Sequence, residues 1–303
     1  MGKTAFLFPG QGAQAVGMGQ SLAETLPAAR QLYDRANEIL GYDLAKICFE
    51  GPADKLNSTI HSQPALYVTS LAALEKIKLD SPHLVQQCIS SAGLSLGEYT
   101  AMVFAGCLDF EDGLRLVQRR GEAMQQAADL VSSAMASIIG MEREDVETLC
   151  DDCRQPGEVL QVANLLCPGN IVISGHTTAI ERASQEATNR GAMRAIRLHV
   201  AGAFHTSLMQ PAVDQLRSAL RECELNRARI PVYSNVDAQP HQDPQEIAEL
   251  LVNQVVSPVY WEDSIRAMLE NGVTDFHEVG AGRVLRGLLK RIDRTTSCAG
   301  VLD

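Results

Sequence analysis

Apolar positions along this chain switch repeatedly between short continuous runs and the three-to-four spacing of helices, and the two kinds alternate from the N-terminus on. Thr4–Phe8 reads as a strand entering the Gly-rich turn Pro9–Gly12. Met18, Leu22, Leu26, Leu32, Ala36 and Leu40 then carry a helical period broken at Pro27. A helix is predicted from about Gln63 to Ile77, with Pro64 in its first turn, where a missing N–H costs no hydrogen bond. The run Cys88–Ala92 predicts a strand and Glu98–Ala105 a helix, and Asp109 caps a further helix to about Ala127. Such alternation predicts an α/β layer architecture with a mainly parallel sheet.

The middle of the chain differs. Ala134–Met141 reads as a strand, Glu142–Cys153 as a helix, Val159–Ala163 and Ile171–Ser174 as strands, Thr177–Arg190 as a helix and Met193–Val200 as a strand. That order, βαββαβ, is ferredoxin-like. It predicts a small subdomain at 131–200 inserted into a larger one formed by 1–130 and 201–303. The larger unit resumes with a helix near His205–Cys223, a strand at Ile230–Ser234, and helices at Pro244–Val255 and Tyr260–Asn271. A strand at Asp275–Val279, a helix at Arg283–Ile292 and a short strand at Ser297–Val301 complete it.

Composition narrows the class. The chain has 303 residues and a net charge of −11, which argues against generic nucleic-acid binding. No apolar run approaches the ~20 residues that span a bilayer, and the first residues read as a strand rather than a signal peptide. The expected location is the cytoplasm, or an organelle stroma or matrix after loss of a transit peptide. The eight cysteines are scattered through apolar segments, as buried thiols are, rather than spaced as a disulfide framework. Cys150 and Cys153 form one C-x-x-C pair, but no second ligand pair has zinc spacing, so no metal is expected.

The candidate chemistry centres on Gly93-Leu94-Ser95-Leu96-Gly97, a G-x-S-x-G between strand and helix. Flanking glycines allow a sharp turn that pushes the serine Oγ out at a helix N-terminus, where backbone N–H groups favour developing negative charge. By itself the pentapeptide also fits a serine in an ordinary glycine turn. A nucleophilic serine needs a base, and of seven histidines His205 stands out. It follows the glycine-containing break Ala201-Gly202-Ala203-Phe204, in the region joining the two subdomains. On the helix from Asp109, Leu114, Val117, Gly121 and Met124 share a face. Arg120 falls beside that face, whereas Arg119 points away. Arg120 then serves either a buried ion pair or a bidentate clamp on a substrate carboxylate. The loop Phe8-Pro9-Gly10-Gln11-Gly12 can present backbone N–H groups to an oxyanion, and it lacks the residues of a phosphate loop.

These segments, with Glu98-Tyr99, Arg119-Arg120-Gly121, Gly202-Ala203-Phe204-His205, Gln254 ahead of Ser257-Pro258-Val259, and Glu278-Val279-Gly280-Ala281-Gly282, resemble the malonyl-CoA:acyl carrier protein transacylases. The related acyltransferase domains of fatty-acid and polyketide synthases share the likeness, which covers essentially the whole chain in order. It implies an α/β-hydrolase-like large subdomain with the ferredoxin-like insert. It also implies transfer of a malonyl group from malonyl-CoA to the phosphopantetheine thiol of acyl carrier protein, in fatty-acid synthesis, through a malonyl-serine and without metal or redox cofactor. By the same resemblance Ser95 is the nucleophile, His205 its base and Arg120 the carboxylate-binding residue. Backbone amides of Gln11 and Leu96 form the oxyanion hole, the main-chain carbonyl of Gln254 orients the histidine, and Phe204 disfavours α-branched acyl groups.

Two positions depart from the family pattern: Leu94 where many members have histidine, and Asn170 where many have glutamine. The alternatives are a serine hydrolase or thioesterase of the same shape, and a non-catalytic carrier-binding module. Acyl carrier proteins are acidic and so is this chain, so docking is expected to use a local basic surface. Arg283, Arg286, Lys290, Arg291 and Arg294 form one such cluster, and Arg190, Arg194 and Arg197 another.

Overall fold

Residues 2–302 are described by a computed structural model, in which the chain builds two sheets. In chain order the strands are β1 (Thr4–Phe8), β2 (Cys88–Gly93), β3 (Ser133–Ile139), β4 (Leu160–Cys167), β5 (Asn170–His176), β6 (Arg194–Arg197), β7 (Val232–Tyr233), β8 (Pro240–His241), β9 (Val259–Tyr260), β10 (Asp275–Glu278) and β11 (Ser297–Gly300). The first sheet runs β11-β10-β1-β2-β7-β8 and is parallel except for the β7–β8 pair. All five residues of the central β1 are buried, because helices cover both faces. Phe6 and Phe8 point into one core and Ala5 and Leu7 into another on the opposite face, following the two-residue repeat of a strand.

The second sheet runs β6-β3-β5-β4-β9. Its first four strands and the helices Arg143–Cys153 and Thr177–Asn189 follow the expected βαββαβ order, with a separate small core. β9 comes from outside that stretch and pairs parallel with β4, Asn164 opposite Val259 and Leu165 opposite Tyr260. It is tethered to the first sheet's side by the Tyr260 N–H, which donates to the Asn235 carbonyl at 2.8 Å. The chain crossing between the sheets therefore runs directly past the end of β7.

The helices expected at Gln63–Ile77 and from His205 differ in extent from expectation. The helix predicted at Gln63–Ile77 runs Thr59–Asp80, with Pro64 inside it rather than in the first turn. Its first turn, with Ile60 as its one apolar residue, shows no apolar period, yet Thr59 and Ser62 are buried. The helix Phe110–Asp129 crosses there so closely that a Cβ on Gly121 would lie 3.0 Å from the Thr59 carbonyl oxygen. The helix expected from His205 begins as a 3-10 turn at Ser207–Met209 and continues as Gln210–Arg221. Asp109 does cap its helix, accepting from the Asp112 N–H at 2.7 Å. Among the described residues no helix is long and apolar enough to cross a membrane.

Candidate active site

The site forms where β1 and β2 end side by side and both chains turn. Leu94 N–H donates to the Phe8 carbonyl at 3.0 Å, extending the β1–β2 pairing into the turns themselves. Three glycines make this possible. A Cβ on Gly93 would lie 1.8 Å from the Gly97 carbonyl carbon, one on Gly97 2.0 Å from the Phe8 oxygen, and one on Gly10 2.2 Å from the Leu94 oxygen. Any larger residue would push the two loops apart. Between Gly93 and Gly97, Ser95 is held at φ 51, in the left-handed region that L side chains rarely adopt. Such strain persists only where surrounding bonds over-determine it, and Asn235 supplies them: its Oδ1 accepts from Ser95 N–H at 2.7 Å and its Nδ2 donates to the Gly93 carbonyl at 2.8 Å.

His205 sits in the turn after the small subdomain, at φ 62 and 3 % exposed. That turn is pinned by Ala203 N–H donating to Ser133 Oγ at 3.0 Å and Thr206 Oγ1 donating to the Ala203 carbonyl at 2.8 Å. The imidazole Nε2 lies 2.9 Å from Ser95 Oγ and Nδ1 lies 2.9 Å from the Gln254 main-chain oxygen. A carbonyl can only accept, so Nδ1 carries the proton and Nε2 presents its lone pair to the serine. Burial, and next the Arg120 charge, hold His205 well below its ordinary value, down to about 4. The imidazole thus stays a neutral acceptor through the physiological range. The second-order rate of serine acylation is expected to stay flat as pH falls from 7 to about 5 and to drop below that as the ring takes a proton. A kcat/KM profile against pH measures this; an acid limb centred near 6.5 would contradict it.

Arg120 is 1 % exposed and its guanidinium lies over the Tyr99 ring, 5.2 Å from the centroid. Nη1 donates to Gln63 Oε1 at 2.7 Å; Nη2 donates to Gln254 Oε1 and to Ser95 Oγ, each at 2.9 Å. These three partners are uncharged, and Nε has none among the described residues. Among the described residues no carboxylate contacts this buried guanidinium directly; the nearest charge acting on it, Glu98, is separated from it by the Gln254 amide, and Nη2 is directed at the serine. Arg119, by contrast, is exposed. The Leu96 and Gln11 N–H groups stand on the two apposed turns, and among the described residues neither donates to a protein group. The Gln11 loop is braced by Gln14, whose Oε1 accepts from Gly12 N–H at 2.7 Å and whose Nε2 donates to Asn57 Oδ1 at 2.9 Å.

Gln254 is drawn into the site more fully than the sequence implied. Besides its main-chain carbonyl, its buried side chain donates from Nε2 to the Ser95 carbonyl at 2.9 Å and to Glu98 Oε2 at 2.7 Å. Gln63 and Asn235 are not legible as site residues, since each is a lone polar residue, one at the start of the predicted helix Gln63–Ile77 and one just after the predicted strand Ile230–Ser234. Phe204 is buried beside His205, its carbonyl accepting from Ser174 Oγ at 2.9 Å. Leu94 packs half-buried against the core below β1, and Asn170 Oδ1 accepts from Ser137 Oγ at 2.7 Å across β3 and β5. Cys150 and Cys153 pack into the small core, where burial pushes the Cys150 thiol up to about 12. Among the described residues no group of His, Cys, Asp or Glu is gathered as a metal would require.

A serine turned out at the carboxyl end of a mainly parallel sheet, within reach of an oriented imidazole, is the geometry of α/β enzymes that work through an activated serine. Residues 5–294 match the acyl transferase domain family, and the chain belongs to that family, among its malonyl-CoA–acyl carrier protein transacylases. It is 45% identical over 305 aligned positions to the malonyl CoA-acyl carrier protein transacylase of Bacillus subtilis, covering 100% of this chain and 94% of that one. An acyl carrier protein S-malonyltransferase from Vibrio cholerae has the same fold, with a TM-score of 0.94 at 42% identity over 99% of this chain and 97% of its own. A malonyl-transacylase solved in complex with a type II polyketide-synthase acyl carrier protein superposes with a TM-score of 0.95 at 39% identity, covering 99% of this chain and 96% of its own.

Proposed function

We propose that this protein transfers the malonyl group from malonyl-CoA to the phosphopantetheine thiol of an acyl carrier protein in fatty-acid synthesis, by a ping-pong route through a malonyl-serine. The observation that carries this reading is one atom, Ser95 Oγ, met at 2.9 Å both by the His205 imidazole and by a buried guanidinium with no carboxylate partner. In the first half-reaction Ser95 Oγ forms a bond to the thioester carbonyl carbon as its proton passes to His205 Nε2. The N–H groups of Gln11 and Leu96 hold the oxyanion. The C–S bond breaks, the proton goes to the departing CoA sulfur, and malonyl-Ser95 remains. In the second half-reaction the phosphopantetheine thiol gives its proton to His205 and attacks the ester, and Ser95 Oγ recovers a proton as it leaves. Exchange of one thioester for another calls on no metal or redox cofactor.

Arg120 takes the distal carboxylate of the malonyl group, for which a guanidinium is better matched than an ammonium. Phe204, buried beside the base, disfavours an α-branch such as methylmalonyl. The relatives of this chain are bacterial and mitochondrial, and the compartment proposed is the cytoplasm, or an organelle matrix or stroma. Incubation with malonyl-CoA labelled in the acyl group tests the whole scheme. A labelled protein that passes its label to carrier protein faster than to water supports it; release to water alone makes this a hydrolase.

The carrier is acidic, so its approach requires local basic groups. In the cluster around 190–197, Arg190 pairs with Asp152 and Glu186 at 2.9 Å and Arg197 with Glu181 at 3.4 Å, while Arg194 is exposed. On the helix Val284–Ile292, Lys290 and Arg291 are exposed, with Arg291 Nη2 donating to the Pro168 carbonyl at 3.2 Å. Lys290→Glu with Arg291→Glu is expected to raise KM for carrier protein several-fold and leave acylation by malonyl-CoA within about twofold, since rim charges act on association. Steady-state kinetics with each substrate varied in turn check this. Equal losses in both half-reactions would assign the cluster to CoA or to the fold.

A further inference from the structure

Glu98 lies one turn beyond Ser95, in the first turn of the helix Gly97–Phe104, and is 2 % exposed. One of its oxygens, Oε2, accepts two hydrogen bonds: from Asn235 N–H at 3.1 Å and from Gln254 Nε2 at 2.7 Å. Those two residues hold the reacting groups. Asn235 takes the Ser95 N–H and donates to the Gly93 carbonyl, on either side of the strained φ at Ser95. Gln254 donates to the Ser95 carbonyl, accepts from Arg120 and, through its own carbonyl, fixes the His205 tautomer. Asn235 and Gln254 reach the site from the end of β7 and the end of the helix Pro244–Gln254, and Glu98 is where they meet. We infer that Glu98 is a positioning residue that sets nucleophile and base against each other, by offering one buried oxygen to both supports at once.

Glu98 touches no reacting atom and acts only through these two residues. The charged group acting on it is Arg120, and the Ser234 side chain also faces it. Burial pushes its carboxyl up to about 7, against the lowering effect of its hydrogen bonds. Protonation on the oxygen away from Asn235 and Gln254 leaves Oε2 free to accept, so what the site needs from Glu98 is an acceptor in that place. A glutamine can supply it through Oε1 and turn its amide nitrogen toward Ser234.

The inference rests on the acyl-transfer reading, and the test separates the two. The variants are Glu98→Gln, Glu98→Asp and Glu98→Ala, each checked by thermal melting to be folded at the assay temperature. Two rates are followed: malonyl-enzyme formation from malonyl-CoA, and Ser95 modification by phenylmethylsulfonyl fluoride, which needs the activated serine and no malonyl group. Glu98→Gln is expected to keep both rates within about threefold. Glu98→Ala is expected to lose on the order of 10²-fold in kcat with KM for malonyl-CoA nearly unchanged, as a misplacement of about 1 Å between reacting groups does. Glu98→Asp, which withdraws the oxygen by one methylene, should fall between. If alanine does not fold, the aspartate and glutamine variants decide. Folded alanine or aspartate variants with wild-type kcat overturn the inference, as does a folded glutamine variant as slow as alanine. Failure of the wild type itself to take malonyl, while still reacting with the sulfonyl fluoride, would strike the acyl-transfer reading instead.

Discussion

Ser95→Ala is expected to fold like the parent chain and to form no acyl-enzyme, with transfer to carrier protein falling to background. The substitution removes one oxygen and keeps the Cβ, so the cost of φ 51 is unchanged. The bonds that impose that φ come from the backbone of Ser95 to Asn235 and Gln254, and they survive. Arg120 Nη2 keeps its bond to Gln254, and the His205 tautomer is set from the far side of the ring. Only the reacting atom is lost. Removal of a serine nucleophile from a comparable unit costs on the order of 10⁶ in kcat. Intact-mass measurement after mixing with malonyl-CoA reads the covalent step, and a parallel melt reads the fold. An acyl adduct on the folded variant, or turnover well above background, would place the nucleophile elsewhere.

Arg120→Ala is expected to collapse the preference for malonyl over acetyl thioesters by a factor of about 30 to several thousand, corresponding to about 2–5 kcal/mol for truncating one partner of a buried charge pair. The loss should fall on malonyl, whose carboxylate would enter a site with no cation. Acetyl transfer should hold or rise. In the wild type the guanidinium rests on Ser95 Oγ and on two uncharged amide oxygens. A carboxylate therefore gains a direct ion pair there, whereas a methyl group would leave the guanidinium buried with no carboxylate in direct contact. Acylation rates with malonyl-CoA and acetyl-CoA, compared on wild type and variant, decide the matter. An unchanged ratio would sink the clamp.

The elements that can be read from the chain are those whose cause is local. β1 and β2 are short apolar runs stopped by glycines, and the elbow glycines are required by backbone clearances within the two apposed turns. Arg120 is legible because its helix has a regular apolar face, and the helix phase places one arginine of the pair inside. Ser95 and His205 stand out as the residue types that acyl transfer needs at breaks between elements. The βαββαβ order follows from alternation alone, whereas β9, two residues long, has no period to detect and exists because Asn235 and β4 receive it.

Other parts of the site depend on the folded chain. Gln63, Asn235, the side chain of Gln254 and the place of Glu98 join one buried hydrogen-bonded network drawn from four separate segments. A polar side chain on a helix reads in sequence as solvent-facing, and each of these would pay heavily for burial alone. Their partners become adjacent only when the segments pack, so the bonds that make burial tolerable are not a property of any one stretch. The same holds for His205, which sits at φ 62 in a turn tied to Ser133 through Ala203 N–H, with its ring bonded to the Gln254 carbonyl. Local periodicity and turn chemistry thus determined most strands and helices, the elbow, and the candidates for nucleophile and base. Tertiary packing alone decided the polar network that orients them, because the energy of a buried hydrogen bond depends on a partner that the neighbouring sequence does not contain.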